Sequence, residues 1–200
     1  REDELKDADA GGFAALADPS REVGLAEIAA SLAERGEPLA DEETYSPGAQ
    51  TFPYGACVAV VEIDRGTGKV SVEQLVAVDD CGEVVNPMLV EGQVHGSLLQ
   101  GVAQAVFEGI DYDDQAQPLN PSLADYPVPT APDAPSYTTL RLVTPALSNP
   151  LGAKGAGESG CIGAPPAIVN AVVDALAPYG VRDLAMPLTP SRVWRALQGS

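Results

Sequence analysis

Two runs rich in β-branched residues, Ala56 to Asp64 and Lys69 to Val78, flank the turn Arg65-Gly-Thr-Gly68. Apolar runs of this length around a glycine turn specify an antiparallel hairpin, and no other feature restricts the fold as tightly. Helical spacing surrounds it. Leu25, Ile28, Ala29 and Leu32 fall at i, i+3, i+4 and i+7, with Asp18 and Pro19 as a start signal and Gly36 as a stop, predicting an amphipathic helix over 20–36. Val90, Val94, Leu98, Leu99, Val102 and Val106 predict a second helix over 89–108. Thr138–Val143 reads as a strand, a third helix is expected to start at Pro165-Pro166, and a last one follows the cap Thr189 and Pro190 with Val193, Trp194 and Leu197 inward. Prolines and acids dominate 111–136, which predicts an extended surface excursion. Early strands with interspersed helices favour an α+β fold, a mixed sheet with an antiparallel hairpin and packed helices, over a doubly wound parallel sheet.

The 200 residues, 45% hydrophobic, suffice for one well-buried core. Eleven Lys and Arg against 29 Asp and Glu give a formal charge of −18, which argues against a nucleic-acid partner. Part of the acidity is local, at Glu2, Asp3, Glu4, Asp7 and Asp9, and residues 1–19 read as a flexible acidic arm or linker ahead of a domain over 20–200. No stretch approaches the ~20 apolar residues of a membrane span, and the acidic start is unlike a secretory leader, so a cytoplasmic location is expected. Cys57, Cys81 and Cys161 are odd in number and widely spaced, with only His95 beside them, so buried thiols are expected rather than a disulfide framework or a zinc site. The chain opens on Arg1 without an initiator methionine, which suits a processed product or the tail of something longer.

Two segments are chemically unusual. The second helix carries Gly92, Gly96 and Gly101, each costing ~1 kcal/mol relative to alanine. On one face, near Gly96 and Ser97, Gln93, Gln100 and Gln104 lie at i, i+7 and i+11, where a polar ligand or a second backbone could approach; tight helix packing with solvated glutamines explains the same pattern. The other segment is the loop 149–166. Gly152, Gly155, Gly157 and Gly160 leave main-chain N–H groups free for an anion, Lys154 adds positive charge, and the loop enters a helix N-terminus. Glu158, the loop's carboxylate, is a candidate general base or a capping acid. Gly155-x-Gly157-x-x-Gly160 also satisfies a dinucleotide fingerprint, yet the preceding predicted strand stops near Val143 and Pro165-Pro166 intrude.

Taken together, Val78-Asp-Asp-Cys-Gly82, Asn86-Pro87, Val90-Glu-Gly-Gln-Val-His-Gly96 with Leu99-Gln-Gly101, Asn149-Pro-Leu-Gly-Ala-Lys-Gly-Ala-Gly-Glu158, Ala164-Pro-Pro-Ala-Ile-Val-Asn-Ala171 and Met186-Pro-Leu-Thr-Pro190 resemble the large, molybdopterin-binding subunits of the xanthine dehydrogenase, aldehyde oxidase and aerobic carbon monoxide dehydrogenase family. The resemblance covers roughly residues 50–198 and implies the C-terminal molybdopterin-binding domain of such a subunit. It implies a molybdenum–molybdopterin cofactor in its cytosine dinucleotide form, with FAD and 2Fe-2S centres on companion subunits of a hetero-oligomer. Glu158 then corresponds to the family's general base and Gln100 to its helical glutamine near the metal. Lys154, Gly155, Ala156 and Gly157 correspond to loop contacts around the cofactor, and Gln93, Asp80 and Cys81 are further candidates for it. The reaction implied is oxidative hydroxylation, with water as oxygen source, of an aldehyde, an N-heterocycle or a CO-type carbon. The family's subunits are much longer, so this chain alone is expected to be inactive, with the rest of the large subunit supplying the other half of the cofactor cradle and the substrate specificity. Two other classes stay open: an assembly module that only packs against a partner chain, and a dinucleotide-binding enzyme.

Overall fold

The computed structural model describes residues 4–8 and 11–199. The chain divides into two units, Arg1–Ser46 and Pro47–Ser200, later than the division expected after residue 19. Glu2, Asp3 and Asp9 of the expected acidic arm lie outside the described residues.

In the first unit, β1 (Leu5–Ala8), β2 (Gly12–Ala15) and β3 (Asp18–Gly24) form an antiparallel sheet in that order, followed by α1 (Leu25–Glu34). Strands thus occupy the segment expected as an arm, and the helix starts later than its sequence signals. Val23 pairs with Phe13, and Asp18 accepts hydrogen bonds from the Ser20 N–H and hydroxyl instead of capping a helix. Pro19 is tolerated because β3 is an edge strand, where a missing N–H need cost no ladder bond. The apolar stripe of α1 is only half buried at Ile28, Ala29 and Leu32.

The second unit is the α+β arrangement expected. The hairpin forms from β4 (Tyr54–Ile63) and β5 (Val70–Asp80), and β6 (Ser136–Leu142) adds parallel to β5, giving a mixed sheet ordered β4-β5-β6. Alternation decides which residues face the helices. Leu75 and Ala77 point into the core; Val76 and Val78, with Val58 and Leu140 beside them in register, point to the other face. At the hairpin turn Gly68 has φ +76°, and a Cβ there would overlap the Pro190 carbonyl oxygen, so this glycine is required twice over. Residues 111–135 carry no long element, in keeping with their prolines, only an isolated Tyr112–Pro118 bridge and a short 3-10 turn at Ala131–Asp133.

Three helices cover the core face: α2 (Pro87–Val102), α3 (Ser159–Leu176) and α4 (Pro190–Leu197). The Asn86 side chain caps α2 by accepting from the Leu89 N–H. Beyond Val102, α2 widens into a π-helical turn, Ala103–Phe107, and the Ala105 carbonyl accepts a hydrogen bond from the Leu188 N–H at 2.7 Å. Leu98, Val102, Ile168, Val172, Leu188 and Val193 are fully buried between these helices and the sheet. Trp194, expected inward, is 42% exposed and lies over Gly68.

The third helix begins at Ser159 and not at the proline pair, because its first turn has a surface to pack on. A Cβ on Gly160 would overlap the Ser97 hydroxyl and come within 2.8 Å of the Leu98 nitrogen, and one on Gly101 would meet the Ala164 Cβ at 2.7 Å. The two helices therefore cross almost backbone to backbone, and this contact holds Pro165 and Pro166 inside a continuous helix. By length and composition Ser159–Tyr179 could cross a membrane, at 21 residues and mean hydropathy 1.4, contrary to the expectation that no stretch comes near that limit. Here it packs on α2 and β4 with Ile168, Val172 and Leu176 buried, as a core helix does.

The helix glycines accordingly separate into two kinds. Gly101 and Gly160 are needed for packing, whereas a Cβ on Gly92 or Gly96 would meet nothing within 4 Å. Gly160→Ala is expected to destabilise the chain by about 1–3 kcal/mol through overpacking, while Gly96→Ala stabilises it by up to about 1 kcal/mol through helix propensity. Urea denaturation of the two variants checks this, and a destabilising Gly96→Ala would contradict it.

Candidate functional site

The site grows from the end of β5, where two successive aspartates point to opposite faces of the sheet. Asp80 lies on the face of Tyr54 and Leu142, its register neighbours, and is fully buried. Its Oδ1 accepts from the Lys154 ammonium at 3.0 Å and from the Gly82 N–H at 2.9 Å. The Lys154 side chain is itself only 9% exposed, with Nζ 5.0 Å above the Tyr54 ring. Burial pushes the Asp80 carboxyl up, but Thr144, Gly82 and Lys154 outweigh it and hold the group well below its ordinary value. Thr144 favours the charged form from beside the carboxylate, although Oδ2 meets no donor in strict hydrogen-bonding geometry.

From this ion pair the loop is pinned up to residue 154. Asn149 clips Ala153 from both sides, its Nδ2 donating to the Ala153 carbonyl at 2.9 Å and its Oδ1 accepting from the Ala153 N–H at 3.2 Å. The Gly152 carbonyl accepts from Glu83 and Ala146 N–H groups, and the Lys154 N–H donates to the Cys81 carbonyl at 2.8 Å. Gly82 and Gly152 bring the two strands of chain together with φ of +68° and +65°. Past Lys154 the pattern changes. The N–H groups of Gly155, Ala156 and Gly157 meet no acceptor among the described residues. A Cβ on Gly155 would touch nothing within 4 Å, so packing within the chain does not call for a glycine there.

Glu158 stands at the N-cap position of α3, exposed, with its side chain making no cap hydrogen bond. It is therefore not a capping acid, although its carboxylate shares the helix end with the positive pole of the dipole. The turn around it is held by Ser159, whose hydroxyl donates to the Ala156 carbonyl at 3.3 Å, and by the Cys161 thiol, which donates to the Glu158 carbonyl at 3.1 Å.

Gln93 and Gln100 on α2 and Gln104 in the π-helical turn that follows are all exposed, and no hydrogen bond engages Gln93 or Gln100 among the described residues. Gln93 reaches the loop: its Oε1 lies 3.6 Å from where a Gly157 Cβ would be. Ser97, expected on this face, is instead buried under Gly160 and donates to the Val94 carbonyl. His95 stacks on Tyr137 with ring centroids 5.0 Å apart, as a packed residue.

The structure thus joins Gln93 to the Gly155–Glu158 turn and joins Asp80 to Lys154, but it does not bring the Lys154 ammonium to the face that carries α2. Asp80 and Cys81, expected as cofactor contacts, are 0% and 6% exposed and serve to anchor the loop. Sequence reasoning missed Asp79. It faces inward with Leu75 and Ala77, beside Ser159, and lines a cavity of about 120 Å³ with Tyr54, Cys57 and Gly160. Its Oδ2 is buried without a partner, and burial pushes its carboxyl up against the opposing Ser159 hydrogen bond. The period-2 alternation of β5 contains the signal that would have found it. Among the described residues no three His, Cys, Asp or Glu side chains gather to hold a metal ion.

The molybdopterin cofactor-binding domain family matches residues 2–135. The carbon monoxide dehydrogenase large chain of Hydrogenophaga pseudoflava is 45% identical over 154 residues, 77% of this chain and 19% of that protein. The nicotine 6-hydroxylase large subunit of Paenarthrobacter nicotinovorans is 41% identical over 148 residues, 74% of this chain and 18% of that protein. Among solved structures, quinoline 2-oxidoreductase from Pseudomonas putida 86 superposes with a TM-score of 0.88 and 36% identity, covering 99% of this chain and 26% of that one. The chain spans between 18% and 26% of the length of these relatives.

The two aspartates titrate on opposite sides of the ordinary value of 3.8. Asp79 holds a proton in the folded chain that the unfolded chain releases, so its contribution falls as pH rises from 3.8 through its raised value. Asp80 contributes stability that is present above 3.8 and lost as pH falls through its lowered value. Urea unfolding between about pH 3 and pH 8 should show Asp79→Asn abolishing the decline on the alkaline side and leaving the acid loss in place. An unchanged decline would contradict the placement of Asp79.

Proposed function

The chain belongs to the molybdopterin cofactor-binding domain family of molybdenum hydroxylase large subunits, and from that premise we propose that its 149–158 loop and α2 form one side of the cradle around a molybdenum–pterin centre. One observation carries the reading: the successive N–H groups of Gly155, Ala156 and Gly157 meet no acceptor among the described residues, at the entrance of an 18-residue helix. Such an array suits the phosphate and ring oxygens of a nucleotide-bearing pterin. Gly155, Gly92 and Gly96 support the same reading, since a Cβ on any of them would meet nothing within 4 Å among the described residues. The residues present fit the group.

When bound, that cofactor supplies oxygen transfer and accepts the electron pair of the oxidation. The chain's own residues bind and orient it and move a proton. The N–H groups of 155–157 donate to its anionic edge. Gln93 and Gln100 offer amides from the adjoining helix face, and neither has to break a hydrogen bond to another described residue to do so. Glu158 acts as the general base: its carboxylate is exposed, uncommitted to a cap and placed beside these donors, and it takes the proton of the attacking water. Asp80, Lys154 and Cys81 fix the loop from behind.

The same reading extends to the whole enzyme. The cofactor is the cytosine dinucleotide form, the rest of the large subunit closes the cradle, and companion subunits carry FAD and 2Fe-2S centres in a cytoplasmic hetero-oligomer. The C-terminal portion alone is inactive. Carbon monoxide, nicotine and quinoline in the relatives' names support an N-heterocycle or CO as substrate, and the family resemblance adds an aldehyde.

In the assembled enzyme, Glu158→Gln is expected to lower kcat by ~10²–10⁴-fold while molybdenum content stays at the wild-type level. Near-normal hydroxylation by the variant would contradict the role of Glu158. A wild-type assembly free of molybdenum and pterin would favour a purely structural module.

A further inference from the structure

Lys154 is the one cation of the 149–158 loop, and an anion-binding loop invites the assumption that its ammonium meets the ligand. The geometry directs it elsewhere. Its Nζ lies 3.0 Å from Asp80 Oδ1 and 5.0 Å above the Tyr54 ring, on side chains only 9% and 0% exposed for the pair itself. Asp80 is on the sheet face of Tyr54 and Leu142, whereas Gln93, which reaches Gly157, stands on a helix packed against the other face. The Tyr54 hydroxyl shares a hydrogen bond with Thr144 at 3.0 Å, which closes the ring over the pair.

We propose that Lys154 and Asp80 are a positioning pair, a buried strut that sets where the 155–157 N–H groups stand, and that the anionic group in this cradle is recognised by main-chain donors and not by the lysine. This rests on the cofactor reading given above and deepens it. Three features support a strut. The Lys154 main chain is tied to Cys81 at the same point where its side chain is tied to Asp80, so both ends of one residue fasten the loop to β5. Asp80 Oδ1 also accepts the Gly82 N–H, which fixes the left-handed turn on the β5 side. The unpaired N–H groups begin at the residue immediately after this anchor.

A strut and a ligand cation respond differently to paired substitution. Removing one partner of a buried ion pair strands the other charge, whereas replacing both by neutral groups of similar size is often tolerated. The test uses the assembled enzyme with its full large subunit, in the variants Lys154→Met, Asp80→Asn and the two combined. Molybdenum per assembly is measured by elemental analysis and pterin by fluorescence of its oxidised form. Each single variant is expected to lower cofactor content by about tenfold to hundredfold, as loss of an outer positioning contact does, and the double variant to return close to the wild-type content. A double variant as depleted as Lys154→Met would overturn the proposal, because the ammonium itself would then be what the cofactor needs. Full retention by Lys154→Met would overturn it as well. Should a single variant fail to assemble, the double variant decides alone on the same criterion. If the wild-type assembly holds neither molybdenum nor pterin, it is the cofactor reading that fails; the strut is then judged by thermal unfolding, where both single variants must lower Tm and the double variant must recover it.

Discussion

The close crossing of α2 and α3 sets the geometry on which the rest of the second unit depends. Gly101 against Ala164 and Gly160 against Ser97 leave no room for a Cβ on either glycine, so the helices meet at one register. That register brings Gln93 beside Gly157 and puts Glu158 at the open end of α3. It also lets α3 continue through Pro165 and Pro166, whose missing N–H groups would otherwise favour a break. The packing contact and the chemistry are thus a single arrangement: the buried sides of both helices fix the spacing of their exposed sides.

Electrostatics follows a similar division. The chain carries a formal charge of −18, and the loop's own cation, Lys154, is committed to a buried aspartate. Within the loop, positive potential therefore comes from main-chain N–H groups and the helix dipole, which need no side chain to be held in place. Donors of this kind stay fixed when a ligand arrives, provided the loop behind them is rigid. Asn149, Gly152, Lys154 and Asp80 supply that rigidity with hydrogen bonds on the side away from the open N–H groups.

Much of this was legible in the residues. The hairpin, the mixed sheet and the glycine-bearing helix follow from period-2 and 3.6-residue patterns that tertiary packing did not override. What was not legible depended on contacts between distant segments. Asp18-Pro19 carries a sound helix-start signal, but strand pairing of Val23 with Phe13 competes with it and wins. Pro165-Pro166 also reads as a helix start, and only the surface offered by Ser97 and Leu98 extends α3 back to Ser159. The membership of Lys154 in the site could be read, but the direction of its side chain could not, because that depends on the facing of Asp80 seventy-four positions earlier. The two kinds of helix glycine look alike in sequence and separate only when their neighbours are known.

Amide hydrogen exchange at Gly155, Ala156 and Gly157, compared between cofactor-loaded and cofactor-free assembled enzyme, tests the central claim most directly. These N–H groups should exchange rapidly without the cofactor and become protected when it is bound, while the already bonded Lys154 N–H stays protected in both. Equal exchange at 155–157 in the two forms would contradict the assignment of this loop as the cradle.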